Sequence, residues 1–260
     1  MKNPLAWLAA VVVLAGAVAF YHWRTADVPQ PPPPVAAAPP APAPVEPPRI
    51  LHPMPEPQAG SAPLPPLADS DAVVNDTLSG LFGREAFAHF FLPDGIARRF
   101  VATIDNLPRK SAANRLLPVR PVPGAFAIAG RDDTLEIGAQ NAFRYRPYVQ
   151  VMEAVDAKKL VAVYVRFYPL FQTAYQELGY PEGYFNDRLV AAIDDLLAAP
   201  DIAAPRLVQP KVLYQYADAS LEDRSAGQKI MMRMGADNAA RVKAKLRAIR
   251  KEVTGQMVQP

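Results

Sequence analysis

Seventeen of the chain's 30 prolines lie between Pro29 and Pro66, one more is Pro4, and the other twelve are scattered from Pro93 to Pro260. Proline fixes φ and donates no hydrogen bond, so the dense stretch can build neither helix nor ladder, and polyproline II is its default. The partition divides the chain into an N-terminal apolar stretch (residues 1–28), a Pro/Ala-rich disordered linker (29–68), a body (69–254) and a short disordered tail (255–260). Extended at about 3.1 Å per residue, such a linker reaches on the order of 100 Å. It reads as a stand-off arm for the body, with a ligand for proline-reading domains as the alternative. No repeat of 20–50 residues is visible in the body.

Residues 5–20 carry no charged side chain, and Tyr21, His22, Trp23 and Arg24 follow. Sixteen helical residues rise about 24 Å, short of the roughly 30 Å hydrocarbon core. Lys2 and Arg24 can snorkel to opposite interfaces, however, and Tyr21 and Trp23 suit the headgroup belt. A single transmembrane helix is expected, in contact with the membrane from Leu5 at one end to Tyr21 at the other. The competing reading is a cleaved signal peptide ending near Ala17-Val18-Ala19; the length of the apolar run and its aromatic end favour the anchor. Lys2 and the α-amine precede the span, which favours a cytoplasmic N-terminus and an inner-membrane protein with a periplasmic body. A body without cysteine is compatible with that oxidising compartment.

Composition removes several chemistries. The chain has no Cys and three His, of which only His89 lies in the body. Thiolate nucleophiles, disulfides and multi-His metal centres are excluded. Phosphate-binding, dinucleotide-binding, zinc-protease and nucleophile-elbow motifs are absent, and no cofactor is expected. His89, beside Phe87, Phe90 and Phe91, reads as a partly buried structural residue. Two placed acids would suffice for glycan cleavage, and Glu177 and Asp187 flank an aromatic segment; 22 acidic residues in the body make some such pair unavoidable.

The fold expected is mainly α: a compact helical body with one small β-hairpin. Asp69 and Ser70 are placed to cap a helix over about 72–81 that ends at Gly83. Pro93-Asp94-Gly95 opens a second helix in which Ile96, Phe100 and Ile104 recur, and Pro108 stops it. Residues 126–129 and 135–137, separated by Gly130, Arg131, Asp132 and Asp133, read as the hairpin. Residues 141–197 hold 11 of the 21 Phe and Tyr. There Asp156 caps a long helix running to Leu178, apolar almost all round between 160 and 171 and kinked by Pro169. An amphipathic helix follows from Phe185 to Ala198.

The runs Asn141-Ala-Phe-Arg-Tyr-Arg-Pro-Tyr, Tyr164-Val-Arg-Phe-Tyr-Pro-Leu-Phe-Gln, Glu177-Leu-Gly-Tyr-Pro and Phe185-Asn-Asp-Arg-Leu resemble a proteobacterial family of single-pass membrane proteins, domain of unknown function 3014. Asp94-Gly-Ile-Ala-Arg-Arg-Phe and Arg233-Met-Gly-Ala-Asp-Asn-Ala extend the similarity over 69–253. The resemblance implies a membrane-tethered, periplasmic body and no chemistry.

The sharpest cluster of candidate binding residues is Arg144, Tyr145, Arg146 and Tyr148, with Arg166 and Asp187. Arg166 lies between Val165 and Phe167, where a guanidinium needs a partner; Asp187 or Glu153 is the structural solution, and an aromatic-lined pocket for a carboxylate or phosphate is the functional one. At the C-terminus, Met232, Gly235, Ala239, Val242, Leu246, Ile249 and Val253 form a 3-4-3-4 seam. Residues 224–260 carry a net charge of +7 against −4 for 67–223. Docking of this helix on its own domain with a solvated basic face is expected, ahead of pairing between chains or binding of an anionic surface. A non-catalytic envelope binding or scaffold module follows, with an envelope protein or an anionic glycan or lipid as partner. Nucleic acid is not expected for an exported body. The alternative is a cell-wall glycan-cleaving enzyme using two carboxylates.

Overall fold

In the computed structural model, residues 49–54 and 62–255 are described; the expected transmembrane segment, the remaining linker and residues 256–260 lie outside them. Nine α-helices are found among these residues: α1 (Asp71–Phe82), α2 (Arg84–Phe90), α3 (Ile96–Asn106), α4 (Gln140–Ala154), α5 (Ala157–Glu177), α6 (Phe185–Leu197), α7 (Ala219–Glu222), α8 (Ala226–Arg233) and α9 (Ala236–Gly255). None is long and apolar enough to cross a membrane.

Helix α5 is the centre, and α1, α3, α6 and α9 pack around it. Asp156 caps it, accepting from the Lys159 N–H at 3.1 Å. Val161, Tyr164, Phe167, Leu170, Phe171, Ala174 and Tyr175 are buried along one stripe. The helix is not buried all round. Ala162, Arg166, Pro169, Thr173 and Gln176 form an exposed stripe at helical spacing on the opposite side. The aromatic run makes the core: Phe100 lies 5.0 Å from Phe171, Tyr175 lies 5.5 Å from Phe185, and Phe185 is wholly buried. Its packing leaves a cavity of about 260 Å³ between α1, α3, α5, α6 and α9, lined by aliphatic and aromatic side chains.

Helix α1 ends where expected, at Gly83 with φ of 87°. Ser70 does not cap it: its backbone is itself helical (φ −81°, ψ −15°) where a capping residue is extended, and its hydroxyl donates to the Leu67 carbonyl at 2.9 Å. The expected hairpin is β1 (Ile128–Ala129) with β2 (Glu136–Ile137), antiparallel. At Gly130 (φ 77°) a Cβ would sit 2.2 Å from the Thr134 carbonyl oxygen, so this turn requires glycine.

The one-hairpin expectation needs correction. A second hairpin, β3 (Leu207–Val208) with β4 (Gln215–Tyr216), joins the first through an isolated Glu136–Arg206 bridge. Two-residue strands carry no readable period. Helix α4 was likewise not expected. Pro147 lies inside it, and its buried side is a narrow row of Asn141, Tyr145, Val149 and Met152.

Residues 51–54 are hydrogen-bonded to the body, Leu67 is buried, and Met54 and Leu64 pack on the main core. At the C-terminus the seam is not one helix: Gly235 (φ 88°) separates α8 from α9. From Ala239 onward it docks as expected, with Ala239, Val242 and Val253 buried. The basic face is only partly solvated: Arg247 and Lys251 are exposed, and the other four basic side chains are bound to the body. Lys243 binds Asp201, Arg241 binds Glu153, Lys245 binds the Glu153 and Val155 carbonyls, and Arg250 binds Asp194. The acidic body and the basic helix meet each other.

Candidate functional site

Between α4, the end of α8 and the second hairpin lies a pocket of about 610 Å³. Arg120, Arg144 and Arg233 line it, as do Phe126, Tyr145, Tyr148, Tyr214 and Tyr216, and no carboxylate does. Positions 144, 145 and 148 reach it together because they share one flank of α4.

Asn141 builds the wall. It is 1% exposed, accepts from the Ala127 N–H at 3.1 Å, and donates to the Ala127 and Gly138 carbonyls. One amide thus ties the first hairpin to α4. Its oxygen also accepts from Arg144 Nη1 at 2.8 Å. The rest of that guanidinium donates to the carbonyls of Pro123 at 2.9 Å and Gly124 at 2.7 Å. All these acceptors are neutral, so the Arg144 charge is held in place but not cancelled.

Tyr148 donates to the carbonyls of Arg120 and Pro121, both at 3.1 Å, and meets the Phe90 ring edge at 4.9 Å. Arg233 lies over Phe126, 5.8 Å from the ring centroid. Neither Arg120, Arg144 nor Arg233 forms an ion pair among the described residues.

Tyr145, Tyr148 and Tyr216 stay neutral at pH 7. Burial pushes Tyr145 up, against the opposing pull of Arg233 and Arg144. Burial also raises Tyr148, with Arg120 opposing, and pushes Tyr216 up to about 12, with Arg233 opposing. At neutral pH the pocket therefore offers guanidinium donors, phenolic hydroxyls and ring faces. It can hold an anion beside a planar or sugar-like body.

Of the six residues singled out in the sequence, the structure brings Arg144, Tyr145 and Tyr148 together here. Arg146 is exposed and lies 4.8 Å from the centroid of the exposed Phe143 ring, outside the pocket. Arg166 is exposed on α5, 5.5 Å from the Phe167 centroid. Its expected pairing is not made: Asp187 binds the N–H groups of Leu51 and His52, and Glu153 pairs with Arg241. Arg166 faces water because 166 falls on the exposed stripe of α5, so no partner is demanded. His89, expected to be partly buried, is exposed against the edge of Phe90. Arg120, Arg233, Tyr214 and Tyr216 escaped the sequence reading. They arrive from three segments far apart in the chain, and no local spacing links them. Among the described residues, no group of three or more His, Asp or Glu is arranged to hold a metal ion.

Fold and pocket together define an α-helical body with a cationic, aromatic cleft. The family model described as "Protein of unknown function (DUF3014)" matches residues 96–250, more than half of the chain, and the chain belongs to that family. No curated protein and no solved structure matches it.

Proposed function

We propose that this chain is a non-catalytic binding module of the cell envelope. An uncleaved anchor over residues 5–21 holds the body outside the cytoplasm, and the pocket takes an anionic group. One observation carries the reading: three guanidiniums line a single pocket that has aromatic walls and no carboxylate. Arg144 and Arg233 are half-buried and Arg120 is exposed; partial removal from water strengthens attraction to the first two beyond its value in bulk solvent. Guanidinium geometry favours carboxylate or phosphate, and tyrosine faces favour an attached sugar or planar group. An acidic envelope glycan or an anionic lipid headgroup meets both requirements.

Glycan cleavage has weaker support. Glu177 pairs with Arg98 at 3.0 Å on the surface, and both Asp187 oxygens accept from main-chain N–H groups. Each acid is thus engaged in a contact of the fold, and neither lines the arginine pocket.

The test is binding by the purified full chain to three probes: inorganic phosphate, an oligogalacturonate, and phosphatidylglycerol vesicles. At least one should bind, more weakly at high salt. Arg233→Gln and Arg120→Gln should each reduce binding about tenfold, a factor equivalent to roughly 1.4 kcal/mol. Arg144 is the wrong position to test, since it also holds the pocket wall. Absence of binding by all three probes at low salt, or binding indifferent to both substitutions, would overturn the proposal.

A further inference from the structure

Residues 51–54 lie against the start of α6, away from the arginine pocket, and the body holds them by their main chain. Leu51 and His52 donate their N–H groups to the two carboxylate oxygens of Asp187, at 3.0 and 2.7 Å. Asn186 Nδ2 donates to the His52 carbonyl at 2.8 Å. The Met54 N–H donates to the Tyr184 hydroxyl at 2.6 Å. Pro53, between them, has no N–H to satisfy.

The receiving groups are prepared. Asn186 is fully buried, and its Oδ1 accepts from the Tyr164 hydroxyl at 3.0 Å. That bond fixes the amide so that Nδ2 faces the docked segment, where a buried donor needs an acceptor. Tyr184, Asn186 and Asp187 lie within four residues on a rigid element. On the segment's side the side chains contribute little: Ile50 is 50% exposed and Leu51 63%. Only Met54 packs on the core.

We propose that Tyr184, Asn186 and Asp187 form a main-chain-reading peptide site, specific for a segment that bends at its first two residues and carries proline at its third, and occupied in cis by residues 51–54. It works as a latch between the proline-rich N-terminal region and the body. Four hydrogen bonds to main chain give the affinity, and the missing N–H of proline gives the register. A partner segment of the same bent, proline-containing kind opens the latch by competition.

Hydrogen exchange on the full chain in detergent reads the cis contact. Leu51→Ala should leave residues 52 and 54 protected, since no side-chain contact is lost. Replacing Leu51 and His52 together by Pro removes both donors to Asp187 and should speed exchange at Met54 at least about tenfold. Asp187→Ala should do the same at His52 and Met54. An end-blocked, fluorescent peptide of residues 48–57 then tests the site in trans. It should bind the Leu51→Pro/His52→Pro chain, bind wild type far less because the site is filled, and fail on the same chain carrying Asp187→Ala.

Three results would each overturn the latch. One is failure of the peptide to bind the double-proline chain at about 1 mM. The others are equal binding to wild type, and release by Leu51→Ala as complete as by proline. Because Arg120 and Arg233 are untouched, anion binding should persist in every one of these variants, so the two proposals fail separately.

Discussion

Lys243 donates its ammonium to an Asp201 carboxylate oxygen and to the Ala199 carbonyl, both at 2.6 Å, with only 5% of its side chain exposed. A buried ammonium must be paired, and the turn after α6 supplies both acceptors. Lys243→Met keeps the aliphatic stem but removes the donors and strands a buried carbonyl. The expected cost is about 1–3 kcal/mol, a fall in Tm of roughly 3–10 °C for a body of this size. Lys251→Gln, on the exposed side of α9, should stay within about 0.5 kcal/mol of wild type. Thermal unfolding of the two variants side by side decides it; equal melting would place Lys243 in solvent.

Asp105 is a second buried charge with partners, and it too was invisible in the sequence. It is 4% exposed on α3, within 2.7 Å of Arg109 Nη2 and 3.1 Å of Arg188 Nε from α6. Asp105→Ala leaves two arginines without their counter-ion where α3 meets α6. The expected destabilisation is about 3 kcal/mol, at the low end for a broken buried pair because Arg109 can turn to water. Urea denaturation of the variant measures it, and a loss below about 1 kcal/mol would show that the network relaxes freely.

These two residues show where sequence reading stops. The fold was largely legible: the cap at Asp156, the stop at Gly83, the start at Gly95 and the apolar face of α6 are local signals, and each lies where the spacing placed it. The partners of charged residues were not legible. Arg166 was expected to be buried because its neighbours are apolar, yet it turned outward; Lys243 was expected to be solvated because its neighbours are basic, yet it turned inward. A one-dimensional run records what lies beside a residue in the chain. Whether the charge is paired depends on which helix arrives opposite, and that is set by tertiary packing. The pocket follows the same rule. Its α4 half, Arg144, Tyr145 and Tyr148, was found from spacing, whereas Arg233 and Tyr216 join it only through the fold.

The pocket tyrosines predict an alkaline limit to stability. Burial holds the folded Tyr216 near 12, against an ordinary value of about 10 in the unfolded chain. The unfolded state therefore loses its proton first. The contribution is complete below about pH 10 and is lost as pH rises from there toward 12. Burial raises Tyr145 in the same direction, so it adds to the same slope. Denaturant midpoints measured from pH 8 to 11 should fall above pH 10, and Tyr216→Phe should make that fall shallower. An unchanged slope in Tyr216→Phe would mean that this phenol is not shielded from water.

The apolar cavity in the core makes the last prediction. The cavity of about 260 Å³ is lined wholly by apolar side chains and is open to solvent on one side, so side-chain atoms added there exchange water for apolar contact. Atoms added there should therefore stabilise the fold. Ala192 is fully buried on α6 and lines the cavity, while Ala191 beside it is exposed. Both positions pay the same intrinsic penalty for valine in a helix, about 0.5 kcal/mol. Comparing Ala192→Val with Ala191→Val cancels that term and isolates the filling. Ala192→Val should be the more stable of the two by about 1–2 kcal/mol in urea denaturation, two methyl groups having gained apolar contacts in the cavity. If Ala192→Val is instead the less stable, its methyl groups meet neighbours rather than space, and the core is tighter at α6 than the cavity implies.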